Sequence, residues 1–178
     1  MAPPTVAHDD LIAGIYDATL DAGLWQQCYD NMRSVLGAES TLATLQDTTS
    51  GQASLLACNM DATFVREYAN GWWQRDVWAQ GGIRHPRGRA FVASAIVPDA
   101  EWMNSEIYNE LVKPLADCRH CLGVIVDAGG SLGVMGFHRP TMASDFSRGD
   151  RQSLQGSYRT SSGPFRSDSN SSGGTLSV

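Results

Sequence analysis

The sequence predicts an α+β domain: an antiparallel sheet of about five strands, flanked by helices and preceded by a helical hairpin. Three observations carry that prediction. Leu122 to Asp127 and Ser131 to Phe137 are apolar runs flanking Gly129-Gly130, the composition a two-residue hairpin turn needs. Glu39 to Asp47 and Gln52 to Asn59 alternate in polarity and flank the turn formers Thr48-Thr49-Ser50-Gly51. Apolar residues at three- and four-residue spacing fill the segments between and before these pairs. The resulting order is helix, helix, strand, strand, helix, strand, helix, strand, strand, helix.

Each element has its own signals. Asp9 and Asp10 can cap a first helix that carries Leu11, Ile12, Ile15, Tyr16 and Thr19 on one side and ends at Asp21-Ala22-Gly23. A second helix, Leu24 to Leu36, turns Trp25, Cys28, Met32, Val35 and Leu36 inward and stops at Gly37. This pair is expected to lie against the sheet or a partner subunit. Asp61 caps a short helix through Phe64, Val65 and Tyr68 that runs into Trp72-Trp73-Gln74-Arg75-Asp76-Val77-Trp78. A loop from Gly81 to Gly88 follows, then a third strand from Ala90 to Val97. Pro98 opens the most strongly patterned helix, Glu101 to Leu115, with Trp102, Ile107, Tyr108, Leu111, Val112 and Leu115 as its stripe. Beyond the glycine hairpin, Asp150 to Leu154 reads as the first turns of a last helix that does not continue. Residues 156–178 have Ser/Gly-rich composition with no apolar period and read as a disordered tail.

Composition narrows the function. The 178 residues suit one domain, residues 8–155, plus that tail. A formal net charge of -6 argues against a nucleic-acid-binding face over the whole chain. No window approaches a transmembrane helix, and residues 1–10 lack the basic and apolar regions of a signal peptide. Four cysteines without a framework suggest thiols in a reducing cytoplasm. Lys113 stands alone against twelve arginines among 13 basic residues, a skew typical of GC-rich coding rather than of a functional device.

Three groups of residues invite a chemical reading. Tyr68, Trp72, Trp73, Trp78, Phe91, Trp102 and Tyr108 form an unusually dense aromatic set. They either pack the core or line a small-molecule pocket on the sheet face. Arg84, Arg87 and Arg89, with His85 around Pro86, either grip an anion through bidentate contacts or form a solvated loop. Cys118, His120 and Cys121 could serve a metal or redox sensor. However, an extended segment separates its thiols by about 10 Å, and a metal would need a fourth ligand from elsewhere. Structural thiols at the start of a buried strand are the alternative. No hydrolase, metalloprotease or phosphate-loop motif occurs, so neither an enzyme nor a cofactor is expected.

Leu11 to Trp25 resembles the opening helices of the N-terminal sensory region of bacterial LuxR-type transcriptional regulators. The resemblance extends through Ile96-Val-Pro-Asp-Ala-Glu101, Ser105-Glu-Ile-Tyr-Asn-Glu110, Pro114, His120-Cys-Leu-Gly123, Phe137-His-Arg139, Phe146 and Asp150. It covers roughly residues 8–155, and its motifs are mostly structural. It implies a PAS/GAF-like sensory domain that binds a small signal molecule and forms a homodimer, with DNA read by a separate helix-turn-helix module. That module does not follow Leu154 here, and the tail is expected to be a shifted reading frame or a premature end. A ligand-free dimerisation module, or a non-functional truncated product, is the alternative expectation.

Overall fold

The strand His120–Ala128 (β4) pairs with Ser131–Arg139 (β5) from His120 opposite Arg139 to Ala128 opposite Ser131. Gly130 has a φ of +93°, a region in which a side chain is strained, so the glycine predicted for the turn is required there. The computed structural model describes residues 22–160 apart from 129. The predicted first helix and residues 161–178 lie outside the described residues.

Ser40–Asp47 (β1) pairs with β5 and, on its other edge, with Gln52–Cys58 (β2); Phe91–Val92 (β3) pairs with β4. The sheet is antiparallel with order β2-β1-β5-β4-β3. A bulge opposite Ala43 and Thr44 leaves Leu56 of β2 outside the pairing. On one face lie the helix Trp25–Val35 (α1) and the last helix. Tyr29, Met32, Phe146 and Leu154 meet Ala43, Leu122, Val124 and Phe137 there. On the other face lie Ala62–Ala69 (α2), a 3-10 turn Trp72–Arg75, Val77–Ile83 (α3) and Asp99–Asn104 (α4). Their Phe64, Trp73, Trp78 and Trp102 meet Leu42 and Cys121 from the sheet. Strand alternation divides β5 between the two layers: Leu132, Val134, Gly136 and His138 face one way, Met135, Phe137 and Arg139 the other.

Local chemistry matches most predicted ends. Asp61 caps α2 by accepting from the backbone of Thr63 and Phe64 at 2.7 and 3.4 Å. Gly37, with φ +55°, follows the end of α1.

Four elements depart from the sequence prediction. The predicted loop from Gly81 to Gly88 starts only after Ile83, because α3 takes in its first three residues. The predicted helix Glu101 to Leu115 is broken at Ser105, whose ψ of 151° is extended. Ser105 Oγ donates to Trp102 O at 2.7 Å and accepts from Tyr108 N at 3.2 Å, closing α4 and starting α5, residues 106–115. Within α5 the segment Tyr108–Val112 is a π turn ahead of Pro114, which has no N–H for a regular turn and whose ring clashes with the preceding one. The predicted strand Ala90 to Val97 pairs only at Phe91 and Val92. Ala93–Ala95 then form a 3-10 turn that drives Ala93 and Val97 into the core, at 1% and 3% exposure. Finally, the last helix (α6, Arg148–Thr160) runs through the predicted end at Leu154. Leu154 and Ser157 are buried on its inner side, and Ser157 Oγ donates to Ser153 O at 3.0 Å.

Candidate functional site

Asp76 sits between the 3-10 turn and α3, and its carboxylate has two tasks. Oδ1 accepts from the backbone of Trp78 at 2.9 Å and Ala79 at 3.2 Å, capping α3. Oδ2 accepts from the Tyr68 hydroxyl at 2.9 Å. Burial raises the Asp76 pKa against the lowering effect of these hydrogen bonds, and burial together with the Asp76 charge raises that of Tyr68.

These groups border a cavity of about 40 Å³ between the sheet and the helices α2 and α3. Leu42 and Thr44 of β1, Cys121 and Gly123 of β4, and Gly136 and His138 of β5 form its floor. Tyr68, Asp76, Trp78 and Phe91 complete the wall. Gly123 and Gly136 leave space that a side chain would close: a Cβ on Gly136 would stand 3.0 Å from His138 Nε2 and 3.6 Å from Cys121 Sγ. Burial lowers the His138 pKa to about 4, so the ring is neutral at pH 7. Its Nδ1 lies 3.3 Å from Ser40 Oγ. Burial, and then the Asp76 charge, raises the Cys121 thiol well above its ordinary value, so it is neither a thiolate nor a nucleophile.

Trp78 is held between two rings. It stacks on Trp102 at 3.5 Å between centroids, and His138 lies 6.3 Å away on a nearly parallel plane. Tyr108 meets Trp102 edge-on at 5.3 Å. Four buried side-chain polar atoms find no partner among the described residues: the indole nitrogens of Trp73 and Trp102, the Oε1 of Gln46 and the Nη1 of Arg119. Such atoms are uncommon in folded proteins because each leaves a desolvation penalty uncompensated.

The structure thus sorts the predicted residues. Tyr68, Trp78 and Phe91 line the cavity. Trp73 and Trp102 are buried in the cluster behind it, and Trp72 and Tyr108 pack at its margin. Arg84, Arg87 and Arg89 are elsewhere, on an exposed loop. Cys118 and Cys121 are buried free thiols, while His120 turns away, with Nε2 3.0 Å from Ala143 O and Nδ1 3.6 Å from Asp145. Among the described residues no three His, Cys, Asp or Glu groups are placed to hold a metal. Sequence reasoning missed Asp76, Thr44 and His138. A signal existed for His138, since it shares a strand face with Gly136 and Val134. Asp76 was legible only as a cap.

No protein-family profile matches the chain, and no curated protein does. Solved structures do. The ligand-binding domain of VqsR from Pseudomonas aeruginosa superposes with a TM-score of 0.63 at 13% identity, over 86% of this chain and 94% of that one. CepR2 from Burkholderia cenocepacia, an N-acylhomoserine lactone-dependent LuxR-family transcription factor, gives 0.60 at 12% identity, over 87% and 90%. A GAF domain from a phosphoenolpyruvate-protein phosphotransferase of Coxiella burnetii gives 0.58 at 12%, over 89% and 93%. The fold is therefore that of LuxR-type ligand-binding domains and GAF domains. No helix among the described residues is long and apolar enough to cross a membrane.

Proposed function

We propose that this chain is the small-molecule-sensing domain of a LuxR-type transcriptional regulator. One observation carries the reading: a cavity on the sheet face in which Asp76, Tyr68 and His138 converge between otherwise apolar walls. Asp76 accepts a ligand donor, while the unpartnered indoles of Trp73 and Trp102 offer donors to a ligand carbonyl once side chains shift. An acyl compound bearing an amide, or an ester with a free hydroxyl, meets both demands, as does the class of signal named for CepR2. At about 40 Å³ the cavity falls far short of the hundreds of Å³ that such ligands fill, so a wall residue such as Trp78 must move on binding. The domain works as a homodimer in the cytoplasm. DNA is contacted through the helix-turn-helix module of the regulator, since a net charge of -6 disfavours phosphate contacts by the sensing domain itself.

The test is a titration of the full chain with N-octanoyl homoserine lactone and, separately, octanoyl glycerol, followed by tryptophan fluorescence and melting temperature. Saturable quenching with a rise in Tm is expected for at least one, with Asp76→Asn weakening it. The small cavity volume favours a second reading, a dimerisation module with no ligand. In that case neither probe changes either signal, while sedimentation still shows a dimer at tens of micromolar.

A further inference from the structure

A single side chain ties the loop of residues 84–89 to α6. Gln155 Nε2 donates to Gly88 O at 2.9 Å, and its Oε1 accepts from Ala90 N, also at 2.9 Å. Gly88 N donates in turn to Ile125 O at 2.8 Å, anchoring the same loop to β4. The backbone of Arg89 is therefore bracketed against α6. Arg151 precedes Gln155 by four residues and so shares its helix face. His85, from the same loop, places its ring edge-on to Phe91 at 5.3 Å.

Of the two other arginines of the loop, Arg84 is also without an ion pair among the described residues, whereas Arg87 is already committed. Arg87 donates to Ile83 O at 2.6 Å and pairs with Asp127 at 3.4 Å. By contrast, no ion pair among the described residues includes Arg89 or Arg151, although both side chains are exposed and the chain has an excess of acid. Like charges gathered without a counter-charge repel one another. The Gln155 bridge thus sets the loop of His85 and Arg89 beside the turn of α6 that carries Arg151, and the His85 pKa is lowered by burial and then by the charges of Arg151 and Arg89.

We propose that His85, Arg89 and Arg151 form an oxyanion site for a phosphate-type dianion, either free or as a phosphate monoester. A tetrahedral dianion can share its terminal oxygens, each with more than one lone pair, among two guanidinium forks and the imidazole. A single carboxylate satisfies one fork and leaves the other cation unneutralised. Once bound, the dianion offsets the repulsion from Arg89 and Arg151, which raises the His85 pKa against the effect of its burial and strengthens the hydrogen bond the ring donates.

The experiment is an NMR pH titration of the His85 ring in the full chain, assigned with His85→Gln. It is run in sodium chloride, inorganic phosphate and glycerol 1-phosphate at equal ionic strength, because exposed charges respond to salt alone. Saturable binding of phosphate or its monoester is expected, with an upward shift of the His85 pKa. Response to inorganic phosphate identifies the free anion as sufficient; response to the monoester alone assigns the site to phosphate esters. Arg89→Gln and Arg151→Gln should each weaken the affinity about fivefold or more. Arg75→Gln, whose guanidinium is paired with Glu106 at 2.9 Å, should leave it unchanged. The proposal is overturned if His85 responds no more to phosphate or monoester than to chloride, or if neither Arg89→Gln nor Arg151→Gln alters the affinity. The wild-type titration decides by itself should a variant fail to fold.

Discussion

Arg139 Nη2 donates to the carbonyl of Leu36 at 2.7 Å, satisfying an oxygen that the end of α1 leaves without a helical partner. The same guanidinium donates to Gly37 O at 3.2 Å and Asp145 O at 3.2 Å and pairs with Asp150 at 3.4 Å. It also lies 4.1 Å over the Phe146 ring. Replacing it with methionine keeps the stem and removes every one of these contacts. We expect Arg139→Met to lose about 2–4 kcal/mol in urea unfolding. Arg139→Lys should restore under half of that, because an ammonium cannot reach several carbonyls at once.

His138 sets an acid limit on stability. Its folded pKa of about 4 lies below the ordinary 6.5, so between these values the unfolded chain binds the proton the folded chain refuses. Its contribution is full above pH 6.5 and is lost as pH falls toward 4. Asp76 acts in the opposite sense: its raised pKa makes the folded chain the better proton acceptor, so its contribution is present in acid and lost as pH rises through the folded value. Between pH 7 and pH 5 the histidine should remove about 2 kcal/mol. Urea unfolding of His138→Gln at both pH values should show that part of the acid loss abolished.

Gln155 brackets Arg89 with two hydrogen bonds that no other described side chain supplies. Gln155→Ala should destabilise the protein by about 1–3 kcal/mol, and hydrogen exchange should accelerate at residues 84–90 more than in the central strands. Gln155→Glu should be no better, because a carboxylate cannot donate to Gly88.

Gly82 is a packing requirement. A Cβ there would come within 2.5 Å of Phe91 Cζ and 2.8 Å of Ile125 Cδ1. Gly82→Ala is therefore expected to lower stability by about 1–3 kcal/mol in the same assay, and Phe91→Leu in the same chain to recover part of it.

The sequence announced features whose causes are local. Gly129-Gly130, Gly37 and Asp61 are read from turn and cap chemistry, which depends on few neighbours. The break at Ser105 was illegible because its hydroxyl can end one helix and begin another only in a backbone already bent there. Phe91 and Val92 looked like the start of a longer strand because an apolar run does not say whether a neighbour will pair with it. The tail boundary failed for a related reason. Gln155 and Ser157 are polar and leave no apolar stripe, yet both face inward and are satisfied by hydrogen bonds rather than by burial alone. The site was half legible: aromatic residues advertise a cavity wall, whereas the pairing of β1 with β5 brings Thr44 and His138 together and the packing of α3 on the sheet adds Asp76.

That pairing also has a mechanical side. His138 and Arg139 are successive residues of β5, one ring against the cavity and one guanidinium hooked over the two outer helices. Because successive residues of a strand point to opposite faces, any change in the backbone of β5 at this pair is felt in both layers at once, at the cavity wall and at the tie to α1 and α6.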